Sequence, residues 1–435
     1  MTHGPSGESN GPPLDQGSPL HEGSPAQKGA HDPYAVLRLR SFRLYMSGNF
    51  LAICGMQMQT VAVGWDVYER TDSAMALGLV GLVQFLPVVA LTLNAGQLAD
   101  RAHRKSIVIV AMCVISGCSF GLTAISHSKA DIGLFYLCLF FSGVARAFMQ
   151  PAKASLLPQI VPRAMFGNAV TWNMGGFQLA AIAGPALGGH LIYYQGNATA
   201  VYLFDALATL VFVVLLLFVK TETFEPSQAR HGDQRPFVAG MNFVWRNKVI
   251  LAAMTLDMFA VLLGGAVMLL PIYTEHILHV GSKGLGWLRT APAAGAFLVS
   301  VVLAHRPPFE RAGRTLLWVV VGFGAATIVF GLSRSYWLSL TMLFLTGAFD
   351  FVSVVIRHTL VQMLTPDAMR GRVSAVNSLF IGASNELGGF ESGLVAQLTT
   401  PVVSVVSGGI GTLLVVAAVA IGWPQLRRYG RLDGK

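Results

Sequence analysis

The sequence predicts an all-α membrane protein of twelve transmembrane helices, arranged as two pseudo-symmetric six-helix bundles. Three observations carry this prediction: an apolar composition poor in charge, twelve apolar stretches divided six and six by a polar loop, and a gapless internal repeat. Of 435 residues, 53% are hydrophobic and 12% are charged, against about 25% charged in a soluble domain. The apolar total, about 230 residues, supplies roughly a dozen spans of about 20 residues each.

The first six stretches lie near 43–65, 75–99, 106–126, 132–153, 167–193 and 200–220, and the second six near 248–273, 284–304, 315–333, 337–358, 372–397 and 402–423. The chain therefore divides into a tail at 1–33, a first half at 34–220, a central loop at 221–247, a second half at 248–423 and a short tail at 424–435. The first tail is rich in Gly, Pro and Ser and has no apolar run, so it is expected to be disordered. Without an apolar core segment it is not a signal peptide. Tyr34 to Arg43 mixes basic and apolar residues, as expected of a short helix on the cytoplasmic membrane face.

The formal net charge of +9 would suggest nucleic acid in a soluble protein. Here it follows from loop location, because Lys and Arg accumulate on cytoplasmic loops. Basic residues cluster before the first span (Lys28, Arg38, Arg40, Arg43), after the second (Arg101, Arg104, Lys105), beside the 4/5 loop (Lys153, Arg163) and in the 10/11 loop, to which Arg357, Arg370 and Arg372 are assigned. Both termini are accordingly expected in the cytoplasm of a multi-pass protein of the bacterial inner membrane. Cys54, Cys113, Cys118 and Cys138 lack metal or redox spacing and are expected to act as buried small hydrophobes.

Residues 204 positions apart match without a gap through spans 4/5 and 10/11: Gly143 with Gly347, Pro162 with Pro366, Ala164 with Ala368, Met165 with Met369, Gly167 with Gly371, Asn173 with Asn377, Gly184 with Gly388 and Gly189 with Gly393. Two related halves are the signature of alternating access around a site at their interface.

After span 2 the chain reads Gly96-Gln-Leu-Ala-Asp100-Arg101-Ala-His-Arg104-Lys105. This resembles the loop 2/3 signature of the major facilitator superfamily, with His103 in place of its second glycine. The resemblance implies a gate in which Asp100 meets the N-terminus of helix 11, where positive dipole charge favours an anion. Arg370, Gly371 and Arg372 stand there. The equivalent loop after span 8 lacks the aspartate, so the latch is expected on one side only. Span 5 carries Gly184, Pro185, Gly188 and Gly189, similar to the superfamily's antiporter motif with Ala180 at its first glycine. The small residues permit close helix packing, Pro185 removes a backbone hydrogen bond, and the resemblance implies export. Thr365 to Asn377 and Ala383 to Gly393 resemble the branch that includes enterobactin exporters and macrolide-efflux proteins, with Gly389 at a position where close relatives have glutamate.

Ionisable residues inside spans are costly and face a partner or a wet cavity. They are Arg146, Asp205, Asp257, Asp350, Glu386 and Glu391. Asp257, Asp350, Glu386, Glu391 and Arg146 are the proton-coupling candidates. Glu386 and Glu391 stand about 140° apart on a helix, so one is expected to face the cavity while the other pairs with a neighbouring helix. Arg146 and Asp350 occupy equivalent repeat positions and could pair across the halves. The polar residues Asn49, Gln57, Gln59, Asn94, Asn173, Gln178, Asn377 and Asn385 could contact substrate or join helices.

No nucleotide loop, metal set or Ser/His/Asp constellation points to an enzyme, and no cofactor is expected. The reading is a proton-coupled secondary active exporter of a small organic molecule such as a siderophore or drug, acting as a monomer by alternating access. The partners are the substrate, protons and the lipid bilayer, with no nucleic acid. Spans 1, 4, 7 and 10 line the cavity by resemblance. A lipid or lysophospholipid flippase, an uptake symporter and a non-transporting membrane sensor are the alternatives.

Overall fold

The computed structural model describes residues 34–101, 103–221, 236–306 and 309–430. The expected tails at 1–33 and 431–435 and most of the central loop lie outside them. The described chain makes six helical passes in its first half: α1 (Arg40–Thr71), α2 (Ala74–Arg101), α3 (Arg104–Ser128), α4 (Ile132–Ile160), α5 (Phe166–Gln195) and α6 (Thr199–Leu217). An amphipathic α7 (Pro236–Arg246) precedes the second set: α8 (Lys248–Leu263) continued by α9 (Leu270–Ile272), then α10 (Gly281–Ala304), α11 (Ala312–Leu332), α12 (Tyr336–Leu364), α13 (Arg370–Leu398) and α14 (Pro401–Gly422). A short α15 (Pro424–Arg428) closes the chain. Among the described residues, nine of these passes are long and apolar enough to cross a membrane by themselves. The other three, α1, α5 and α13, carry the glycines and amides that face the middle of the bundle.

Short turns enforce the alternation of direction. The Asp131 carboxylate caps α4 by accepting from the Gly133 N–H at 2.6 Å, and the Thr400 hydroxyl caps α14 by accepting from the Val403 N–H at 3.2 Å. Helices α1, α3 and α5 end on left-handed residues, Asp72, Lys129 and Gly196, which satisfies terminal carbonyls. All of these turns lie at one end of the bundle, here named the distal end. The chain enters at the opposite, terminal end.

The internal repeat is visible in the elements. Ile132–Ile160 and Tyr336–Leu364 correspond at an offset of 204, as do the 3-10 turns Arg163–Met165 and Asp367–Met369. Repeat glycines make equivalent contacts. A Cβ on Gly184 would lie 3.0 Å from the Cys54 carbonyl of α1, and one on Gly388 would lie 2.7 Å from the Leu262 carbonyl of α8. Gly189 and Gly393 instead join the halves. A Cβ there would lie 2.8 Å from Gly286 of α10 and 2.9 Å from Gly78 of α2, respectively. Gly189→Ala is therefore expected to overpack the α5/α10 seam, at about 1–3 kcal/mol, read as a lower thermal unfolding midpoint of the purified protein.

The seam runs from mid-bundle to the distal end. Thr290 Oγ1 donates to the Ile182 carbonyl at 2.9 Å, Gln178 Nε2 to the Ala293 carbonyl at 2.9 Å, and Ser73 Oγ to Gln397 Oε1 at 3.1 Å. One distal core combines residues of both halves, such as Val61, Leu77, Leu269, Leu288 and Val405. Toward the terminal end each half keeps its own core, around Phe42, Met112 and Leu156 in the first and Leu256, Leu316 and Ile356 in the second. The molecule is thus zipped distally and parted terminally. Large apolar side chains such as Trp318, Leu414 and Ile421 are exposed on the outer surface, as a lipid-facing surface requires.

Three local expectations are corrected and one span is found in finer detail. Tyr34 to Arg43 forms no separate surface helix: a 3-10 turn at Ala35–Arg38 leads into α1, with Val36 and Phe42 fully buried. Of the cysteines only Cys54 is buried, Cys113 being exposed and Cys118 and Cys138 half-buried, because lipid accepts an apolar thiol as readily as a core does. Arg357 belongs to no loop but lies buried within α12. Span 7 is interrupted at Gly264 and Gly265, where α8 ends, and resumes through a 3-10 turn, α9 and a π turn at Tyr273–Ile277. Pro271, which lacks an N–H, sits in the resumed part.

Candidate functional site

A cavity of about 510 Å³ lies between the halves and reaches from mid-bundle toward the closed distal end. Its walls come from α1, α2, α4, α8, the interrupted Gly264 to Met268 segment, α10, α11, α12 and α13. The walls include the four passes implied by resemblance and extend beyond them. A second space of about 990 Å³ opens in the terminal half, walled largely by α1, α4 and α5. Met56, Gln59 and Arg146 line both, so the two spaces adjoin at these side chains.

Six ionisable side chains line the inner cavity: Arg146, Arg289 and Arg357, with Asp257, Asp350 and Glu386. Two of them form a closed unit. Asp257 of α8 and Arg357 of α12 are both buried and joined by a salt bridge. A pair this dry is held by mutual neutralisation, since either charge alone would be strongly unfavourable. Asp350 lies seven residues before Arg357 on α12, two turns away on the same face. It accepts no hydrogen bond from a described residue, and its electrostatic neighbours are Asp257 and Arg357.

The other group is built across both halves. Arg146 of α4 donates from Nη1 to Gln84 Oε1 at 2.8 Å, so the cross-half pair with Asp350 does not form. A neutral amide from α2 is closer to hand than the carboxylate on α12. Glu386 of α13 is the electrostatic neighbour of both Arg146 and Arg289. Its carboxylate points at α2, where a Cβ on Gly81 would lie 2.6 Å from Oε2. Glu391 lines neither space and accepts only from Ser392 Oγ, at 3.4 Å. Helix rotation thus separates the two glutamates, and only Glu386 faces the cavity.

Asp205 is an electrostatic neighbour of Arg146 but makes its hydrogen bond elsewhere. It is almost fully buried on α6 beside the terminal space, where it accepts from Ser119 Oγ at 2.6 Å, and Ser119 in turn accepts from Gln59 Nε2 at 2.9 Å. Asn49 and Asn173 bond each other at 3.0 Å across α1 and α5. Of the antiporter-motif residues, Gly184 and Gly188 pack on α1, while Gly189 and the Pro185 carbonyl meet α10 at Gly286. At the terminal end, Arg104 donates to the Ser155 carbonyl at 3.4 Å, and the Arg372 carbonyl lies under Gly240 of α7. Gly96 lies within α2, and the side chains of Asp100, Arg101 and Asn94 lie outside the described residues.

Sequence reasoning missed Arg289, although a charge in the middle of an apolar run is the same signal that marked Asp205. It also missed the role of Gln84, which no charge rule would find.

Residues 31–431 match the transmembrane secretion effector family. The enterobactin exporter EntS of Escherichia coli O1:K1 is 24% identical over 393 residues, covering 89% of this chain and 93% of the exporter. The same figures hold for its counterpart in Shigella boydii serotype 18. Among solved structures, a bacterial homologue of the human lysosomal transporter Spinster superposes with a TM-score of 0.68 at 14% identity, covering 92% of this chain and 98% of that one. A bacterial homologue of the iron transporter ferroportin gives 0.67 at 14% identity, with 91% and 100% covered. With a match across nearly its whole length and a fold to agree, this chain belongs to the transmembrane secretion effector family of the major facilitator superfamily and is a multi-pass membrane transporter, not an enzyme.

Proposed function

We propose that the protein exports a small organic molecule in exchange for protons, by alternating access around the cavity between its halves. The terminal end, which carries most of the Lys and Arg, faces the cytoplasm, so the described form is open inward and closed outward. The observation that carries the proposal is Asp350: a carboxylate facing the cavity that, among the described residues, has no hydrogen-bond donor, beside an ion pair in which Arg357 is already taken by Asp257. Such a group can exchange a proton with cavity water, whereas Asp257 is committed to Arg357. Glu386 is the second exchangeable carboxylate. Glu391, away from both spaces, has no part in coupling.

Glycines at the α5/α10 and α2/α13 seams let the distal halves close on each other, and the residues from Gly184 to Gly189 form half of that closure. The terminal gate is assigned to Gly96, Asp100, Arg101, Arg104 and Arg372. Asp100→Asn is expected to cut transport while expression stays unchanged, measured as flux per folded protein in proteoliposomes. A small organic cargo, as the enterobactin exporters carry, suits a cavity of about 510 Å³, within the usual range for such ligands. Six ionisable groups in the walls weigh against a lipid flippase. The test is flux in proteoliposomes with an imposed pH gradient, acid on the side opposite the cytoplasmic face. Addition of a protonophore is expected to stop uphill substrate movement. Undiminished uphill movement after the gradient collapses would overturn proton exchange.

A further inference from the structure

Arg146 and Arg289 are two guanidinium groups facing one cavity from opposite halves, the first on α4 and the second on α10. Neither forms an ion pair with a described carboxylate. Arg146 is steadied by the neutral Gln84 side chain, which orients the group without pairing its charge. Arg289 makes no hydrogen bond to a described residue. The neighbouring Thr290 anchors α10 to the Ile182 carbonyl of α5, so Arg289 is placed by a fixed seam. The anionic neighbours are Asp205, which acts on Arg146 alone and already accepts from Ser119 Oγ, and Glu386, which the two arginines share and whose carboxylate points into the notch that Gly81 leaves in α2. Guanidinium groups in a cavity of low dielectric are costly unless an anion meets them, and their planar donors match carboxylate, phenolate or phosphate oxygens.

We propose that Arg146 and Arg289 form a clamp, one guanidinium from each half, for an acidic group of the transported molecule, with Glu386 as the resident counter-ion it displaces. The cargo is therefore an organic anion. Because the two arginines belong to different halves, a bound anion links the halves across the cavity. Movement of an anion outward is also favoured by an inside-negative potential. This rests on reading the cavity as the transport site, but not on proton exchange.

The test uses the full chain in lipid nanodiscs with two dyes sharing a xanthene core, anionic 6-carboxyfluorescein and cationic rhodamine 123, and binding read by fluorescence anisotropy. Saturable 6-carboxyfluorescein binding is expected. Arg146→Gln and Arg289→Gln are each expected to weaken it about tenfold or more, the worth of one charge-assisted hydrogen bond. Arg146→Lys, which keeps the charge, retains most of the binding and so separates loss of charge from misfolding. Glu386→Gln is expected to tighten 6-carboxyfluorescein and to weaken rhodamine 123. No 6-carboxyfluorescein binding, binding unchanged in both arginine variants, or tighter binding of rhodamine 123 by the unaltered protein would each overturn the clamp. Protonophore-sensitive flux restricted to cations would overturn the clamp and leave proton-coupled export standing. Intact anion binding with no gradient-driven flux would do the reverse.

Discussion

Asp350→Asn is expected to cut substrate movement driven by a pH gradient strongly while sparing exchange of substrate for substrate. The amide keeps the size and polarity of the carboxyl group, so the cavity and its packing remain. What is lost is the ability to bind and release a proton beside the Asp257–Arg357 pair. Linked ligands of one protein commonly couple by roughly 5- to 150-fold, and gradient-driven flux is expected to fall by about that much. Substrate exchange needs both faces of the cycle but no net proton, so it separates loss of coupling from loss of folding or binding. Retention of full gradient-driven flux in this variant would remove Asp350 from the coupling mechanism and pass the role to Glu386.

The largest effect on stability is expected at Arg357. Arg357→Ala leaves the Asp257 carboxylate buried at 6% exposure without its counter-charge. Breaking a buried pair by removing one partner costs about 3–5 kcal/mol. The purified variant should unfold at a distinctly lower temperature than the unaltered protein. Replacing both partners with leucine should restore most of the loss, because a dry apolar pair needs no neutralisation. If the double variant is as unstable as the single one, packing around the Arg357 side chain, and not its charge, holds α8 to α12. Transport by the double variant is a separate measurement, since it removes two charged groups from the cavity wall.

The cavity's charged groups explain why only part of the site was legible beforehand. Each of Arg146, Asp257, Asp350 and Glu386 stands out because charge is rare in an apolar run. That rule carries no information about partners. Arg357 looked like a cytoplasmic loop residue because it lies near the end of its apolar run, yet α12 continues to Leu364. Asp257 and Arg357 are a hundred positions apart, and nothing local distinguishes a basic residue that ends a span from one that neutralises a buried acid.

What the sequence determined by itself is the set of passes, their direction of travel and the repeat. Lipid leaves a chain only helices or a closed barrel to satisfy its backbone, and continuous apolar runs of about 20 residues fit helices and not the short alternating strands of a barrel, so length and apolarity along the chain suffice to find them. The offset of 204 survives as equal helix bounds because each half solves the same packing problem with glycines in the same places. Tertiary structure alone decided how each helix is turned about its axis. The seams at Gly189 with Gly286 and Gly393 with Gly78 set those rotations. They bring Glu386 into the cavity and keep Glu391 out, give Arg146 to Gln84 instead of Asp350, and leave Asp350 without an ion-pair partner among the described residues. A rotation is the outcome of contacts between helices far apart in the chain, so no reading of one helix at a time contains it.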